Sequence, residues 1–210
     1  GALLSWRLTV LSDLLWAIVK SVFSLFAVAC LLRAYLQWLR VHPLNPLSQS
    51  LFPLTNWIVL PLRRVFRGKT FDWASLIAAW ITACVAVLLL LLLASELILR
   101  VGEEPMLVLS CVALLASIWL AGWALQLVLL LVIAQALMSW FGASPNAATL
   151  RVLLDSMAEP FVRPIRQLLY RGAPRGIDFS PLLVLIGIQI LLAIQDRLEH
   201  RLVMKLLTPL

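Results

Sequence analysis

Four long apolar blocks divide the chain, and the stretches between them mix apolar and basic residues. The first block runs from about Leu11 to Leu39, with Lys20 and Arg33 inside it. The second, Ala74 to Leu99, carries Glu96 alone, and no charged residue occurs between Glu104 and Arg151. The fourth, Pro181 to Ile194, is short before Asp196 and Arg197, so its helix is expected to continue as an amphipathic tail. A bilayer crossing takes about 20 helical residues for a core of roughly 30 Å. The pattern predicts an all-α integral membrane protein whose four transmembrane helices cover about 11–39, 74–99, 106–141 and 180–205.

The third block raises a topology question. As a helix, Met106 to Phe141 would be about 54 Å long, too long for one upright crossing and slightly short for two plus a turn. Two crossings would put the basic stretches Arg40–Asp72 and Phe141–Asp178 on opposite sides, whereas the positive-inside rule wants both on one side. One long helix is therefore expected, tilted or bent at Gly122. Both termini then lie opposite the basic loops. Ala27-Val28-Ala29-Cys30 is a faint lipoprotein-like box, but the apolar run continues past it, so a retained transmembrane helix is predicted.

The intervening loops have a pattern of their own. Leu47, Leu51, Phe52, Leu54, Trp57, Ile58, Leu60 and Val65 recur at near-helical spacing, as do Leu150, Leu153, Leu154, Met157, Phe161, Ile165 and Leu168. Each loop should be an amphipathic interfacial or re-entrant element. Pro53, Pro61, Pro160 and Pro164 are expected to break the loops into short helical pieces.

The blocks and loops form two tandem helix-loop-helix repeats. Leu36-Gln37-Trp38, Leu60-Pro61-Leu62-Arg63-Arg64 and Phe71-Asp72-Trp73 recur as Met138-Ser139-Trp140, Arg163-Pro164-Ile165-Arg166-Gln167 and Ile177-Asp178-Phe179. The first repeat spans 8–100, with its basic loop at 40–72, and the second spans 105–207, with its loop at 142–178. The copies share one orientation, so this is a parallel duplication and not an inverted transporter repeat.

Composition agrees with a membrane protein: 63% of the 210 residues are hydrophobic and 13% charged, about half the charged share of a soluble domain. The formal net charge is +7, and the two loops carry +6 of it. Nine of their ten basic residues are Arg, whose planar fork suits phosphate. Cys30, Cys84 and Cys111 are isolated in apolar runs, and His42 and His200 lie far apart. Neither a metal site nor a disulfide framework is indicated, and no cofactor is expected.

The strings Leu31-Leu32-Arg33-Ala34-Tyr35-Leu36-Gln37-Trp38, Asn45-Pro46-Leu47-Ser48-Gln49 and Pro61-Leu62-Arg63-Arg64 in the first copy resemble the YggT family of small bacterial membrane proteins, whose plastid relatives are the YlmG-type proteins. In the second copy the match lies in Met138-Ser139-Trp140, Glu159-Pro160-Phe161-Val162-Arg163-Pro164-Ile165-Arg166 and Gly176-Ile177-Asp178-Phe179-Ser180-Pro181. Ala74 stands where the second copy has Ser180. The resemblance implies membrane-embedded accessory factors linked to envelope and division organisation or osmotic tolerance, and in plastid relatives to nucleoid distribution and cytochrome maturation. It brings no agreed chemical activity with it.

The candidate residues follow from charge and position. Arg63, Arg64, Arg67, Arg163, Arg166 and Arg171 are candidates for binding lipid headgroups or a partner. Direct DNA binding is disfavoured, because no nucleic-acid motif accompanies the charge. Asp72 and Asp178 sit where each loop feeds a membrane helix, as helix caps and salt-bridge partners of Arg63/Arg64 and of Arg166. Trp38 and Trp140 read as interfacial anchors. Arg33 is an intramembrane charge expected to snorkel towards the basic side, and Gln135 takes its place in the second copy. No catalytic constellation can be assembled and no small-molecule substrate is indicated. The leading expectation is a non-enzymatic scaffold or assembly factor in the bacterial inner membrane, with its basic loops cytoplasmic. Its partners would be anionic lipid and a protein or a second copy. The alternative is a small oligomeric channel or transporter component, for which Gln126, Gln135 and Gln189 are the interior polar candidates.

Overall fold

A computed structural model describes residues 2–42, 45–66, 71–93, 105–140, 148–170 and 178–207. Six helices cover them: α1 (Ala2–Trp38), α2 (Pro46–Val65), α3 (Trp73–Leu93), α4 (Pro105–Trp140), α5 (Ala148–Tyr170) and α6 (Ser180–Leu207). There is no strand among the described residues. Among the described residues, four stretches are long and apolar enough to cross a membrane: Leu14–Trp38, Trp73–Leu92, Pro105–Met138 and Ser180–Met204.

The third apolar block is one continuous helix of 36 residues. The first helix begins at Ala2, well before the apolar edge at Leu11. Nothing in Ala2–Val10 stops it, since that stretch has neither Pro nor Gly, and a helical hydrogen-bond ladder continues past a hydrophobic boundary where no breaker intervenes.

The loop prolines do not break their helices. Pro53 and Pro61 lie inside the 20-residue α2, and Pro160 and Pro164 inside the 23-residue α5. A mid-helix proline removes one backbone bond and costs about 3 kcal/mol, yet packing on both sides can hold the helix together. Thr55 and Val59 are fully buried between Pro53 and Pro61, and Ala158 and Val162 are fully buried around Pro160. Helix α2 starts cleanly: Pro46 occupies its first turn, and the Asn45 side chain accepts the Leu47 N–H at 3.1 Å.

The chain forms two compact units, one within 1–123 and 198–210 and the other within 124–197. In the first, α1 packs on α2 and α3, and α2 on α3. Small side chains face the α1 and α3 interior: Ala27, Cys30 and Ala34 on one, Ala78, Ala79, Ala83 and Ala86 on the other, all essentially buried. Small residues let helix backbones approach closely, which is how membrane helices gain van der Waals packing where lipid removes the hydrophobic drive. In the second unit, Val132 of α4, Ala158 and Val162 of α5 and Val184 and Ile188 of α6 form one apolar cluster.

Candidate functional site: two arginine–aspartate clasps

Each loop helix is tied to the start of the membrane helix that follows it by one Arg and one Asp. In the first unit Asp72 immediately precedes α3. Its carboxylate accepts the Ser75 backbone N–H at 3.3 Å and the Ser75 hydroxyl at 2.6 Å, closing the first turn of α3 as an N-cap does. The same carboxylate accepts both Nε and Nη2 of Arg63 near the end of α2, at 3.3 and 2.5 Å. Arg63 Nη2 also donates to Gln37 Oε1 on α1 at 2.8 Å. One guanidinium therefore joins three helices.

Arg33 completes this cluster. It is only 3% exposed, as is Asp72. Its Nη1 donates to Thr55 Oγ1 at 2.7 Å and to Asn56 Oδ1 at 2.8 Å, and its Nε lies 3.8 Å from Asp72 Oδ2. The guanidinium also stacks 4.8 Å over the Phe52 ring, a cation–π contact. Arg33 thus does not snorkel into water. It points towards the loop side but ends inside protein, because α2 supplies two oxygen acceptors and an aromatic face there.

The second unit repeats the clasp in a wetter form. Arg166 of α5 donates from Nε to Asp178 Oδ2 at 2.7 Å and from Nη1 to Glu159 Oε2 at 3.3 Å. Asp178 Oδ1 accepts the Ser180 N–H at 2.9 Å, at the start of α6, and the Tyr170 hydroxyl accepts the Phe179 N–H at 3.2 Å. Asp178 keeps 23% of its side chain exposed. In place of Arg33, Gln135 donates from Nε2 to Asp155 Oδ1 at 3.1 Å, and its Oε1 is buried without a hydrogen-bond partner.

Electrostatics follow the geometry. Burial alone would raise the Asp72 pKa, but the hydrogen bonds from Arg63 and Ser75 outweigh it and hold the carboxyl below its ordinary range. Burial likewise opposes ionisation of Asp178, and Ser180 and Arg166 again overcome it. Both carboxylates are charged at neutral pH.

The other candidate residues are placed differently. Arg64 and Arg163 are exposed and make no ion pair or hydrogen bond among the described residues. Arg67 and Arg171 lie outside the described residues, as does the Trp140 side chain. Trp38 is half exposed at the end of α1, stacked on Tyr35 with 5.8 Å between ring centroids. Gln126 and Gln189 are exposed and line no interior. The clasp partners Gln37, Thr55, Asn56 and Ser75 were not among the sequence candidates. Two signals could have found them: Gln37 lies one helical turn after Arg33, and Asp72-x-x-Ser75 has capping spacing.

A second polar contact lies far from the clasps. Lys20 Nζ on α1 meets Glu199 Oε1 on α6 at 2.7 Å and sits 4.7 Å over the Trp119 ring, which Trp16 meets edge-on at 6.2 Å.

These features define a class: a polytopic helical membrane protein built from two hairpins, each with an Arg–Asp clasp between its loop helix and its second membrane helix. The chain belongs to the CCB3/YggT family, which it matches twice, over residues 12–93 and 114–197. It is 30% identical over 176 residues to the YggT protein of Escherichia coli K12, covering 80% of this chain and 82% of that one. A Vibrio alginolyticus protein from the proC 3' region is 28% identical over 173 residues, covering 82% and 88% of the two chains. A Haemophilus influenzae protein is 29% identical over 168 residues, covering 80% and 83%. No solved structure matches the chain at a significant level.

Proposed function

We propose that the protein is a non-enzymatic scaffold or assembly factor of the bacterial inner membrane, presenting a basic cytoplasmic face to anionic lipid and to a partner protein. The observation that carries this reading is a division among the arginines. Arg63 and Arg166 are occupied internally by Asp72 and by Asp178 with Glu159, and Arg33 is buried beside Asp72. Arg64 and Arg163, one and three residues away from those inner arginines, stay exposed on the same loop helices. The acids thus hold the fold, and the outer arginines remain available for phosphate or carboxylate groups.

The test leaves the clasps intact. Arg64→Gln together with Arg163→Gln is expected to remove most of the protein crosslinked to this chain in its native membrane, with unchanged amounts of the chain itself. Undiminished crosslinking by that double variant would refute partner docking through these arginines.

A further inference from the structure

The two loop helices differ in what their middle turns expose, although both carry the same hydrophobic spacing. Along the second half of α2 the exposed large side chains are Leu54, Trp57, Leu60, Arg64 and Val65, separated by three, three, four and one residues, whereas Gln49 and Ser50 are exposed in its first half. Such spacing makes one continuous stripe on a helix. Trp57 is 69% exposed and Val65 74%, with Leu54 and Leu60 just over half exposed. Along the middle of α5, from 153 to 167, the exposed residues are Asp155, Ser156, Arg163, Pro164 and Gln167, and the exposed large apolar side chains are confined to its two ends, Leu150 and Val152 at one and Leu168 and Leu169 at the other. There Phe161 and Ile165 turn inward onto the Val132–Val162 cluster.

We infer that α2 lies in the headgroup layer with its Leu54–Trp57–Leu60 stripe against acyl chains and Arg64 on a lipid phosphate, whereas the middle of α5 stands in water. The inference rests on the proposed membrane-scaffold reading and divides its two kinds of contact between the repeats. Three observations select lipid as the occupant of α2. The stripe is apolar with a cation at its end, the composition of a helix buried some 5–10 Å into an interface. It is continuous with the membrane surface of the same unit: α2 is held to α1 through Arg33 and to α3 through Arg63–Asp72. Trp38 and Trp73, at the loop-side ends of those two helices, are each about half exposed, in the position of an aromatic belt. Finally, Arg64 is exposed and makes no ion pair among the described residues, which leaves it open to an anionic headgroup.

The experiment uses the full chain reconstituted in vesicles of phosphatidylethanolamine and phosphatidylglycerol, with a photocrosslinking benzophenone amino acid at position 60 or at position 167. Both positions are exposed, so neither probe disturbs a packed core. Position 60 is expected to yield lipid adducts enriched in phosphatidylglycerol, and position 167 few lipid adducts. Arg64→Gln should lower the phosphatidylglycerol enrichment at position 60 about fivefold, since one arginine near an anionic surface contributes on that order. Equal lipid labelling at the two positions would overturn the inference, as would crosslinks from position 60 to a second copy of the chain or to another protein. Purified components suffice, so this outcome is independent of partner crosslinking in native membranes and distinguishes a failure of the α2 assignment from a failure of the scaffold reading.

Discussion

Asp72→Ala is expected to lower the unfolding free energy of the protein by about 3–5 kcal/mol, the usual effect of leaving buried charges without their counterion. Arg33 at 3% exposure would lose the only carboxylate it approaches among the described residues, and Arg63 its bidentate partner, while the first turn of α3 would lose its cap. Asp178→Ala should cost less, about 1–2 kcal/mol, because Asp178 is partly hydrated and Glu159 still faces Arg166. Denaturation in a fixed detergent, followed by tryptophan fluorescence, measures both. The same carboxylates set the acid limit. Their folded pKa values lie below the ordinary carboxylate range, so the unfolded chain takes up protons first as pH falls. Their stabilisation is complete above the ordinary carboxylate pKa and disappears as pH drops through the folded value. Asp72→Ala should flatten stability across that acidic window. A variant as stable as the parent would show that the cluster does not hold the three helices.

Glu199→Gln is expected to cost about 1–2 kcal/mol, with most of that loss recovered when Lys20→Met is added. Lys20 lies 18 residues before the Trp38 end of α1 and Glu199 lies 19 residues after the Ser180 start of α6. These separations correspond to about 27 and 28.5 Å along the two helices, each close to the thickness of a bilayer core of roughly 30 Å. At that depth water is scarce enough for the pair to matter, but the Lys20 side chain is one third exposed, which keeps the effect below that of a charge at the bilayer centre. A double-mutant cycle reads the coupling directly. Additive losses, with no recovery in the double variant, would show that the two side chains do not interact in the membrane.

The membrane helices were legible because lipid demands long uninterrupted apolar runs, and the charge bias of the loops selected a single third helix over two. The Asp72 and Asp178 junctions were legible as well, since the duplication puts an Asp at the same point twice. Other features depend on three-dimensional neighbours that spacing does not encode. Arg33 reads as a snorkelling residue until Thr55, Asn56 and Phe52 are seen to surround it. The prolines read as breaks until Thr55, Val59, Ala158 and Val162 are seen to anchor the helix beside them. Lys20 and Glu199 are 179 residues apart and share no motif. The difference between the middle turns of α2 and α5 was hidden for the same reason: both sequences carry a helical apolar spacing, and only packing decides which part of it stays outside.

The central claim is that inner arginines build the fold and outer arginines face outward. It is tested most directly by comparing four single variants, Arg63→Gln, Arg166→Gln, Arg64→Gln and Arg163→Gln, for unfolding free energy in one detergent. The inner pair should each lose about 1–3 kcal/mol, and the outer pair should stay within about 0.5 kcal/mol of the parent. Outer variants that lose as much as the inner ones, or inner variants that lose nothing, would contradict the account.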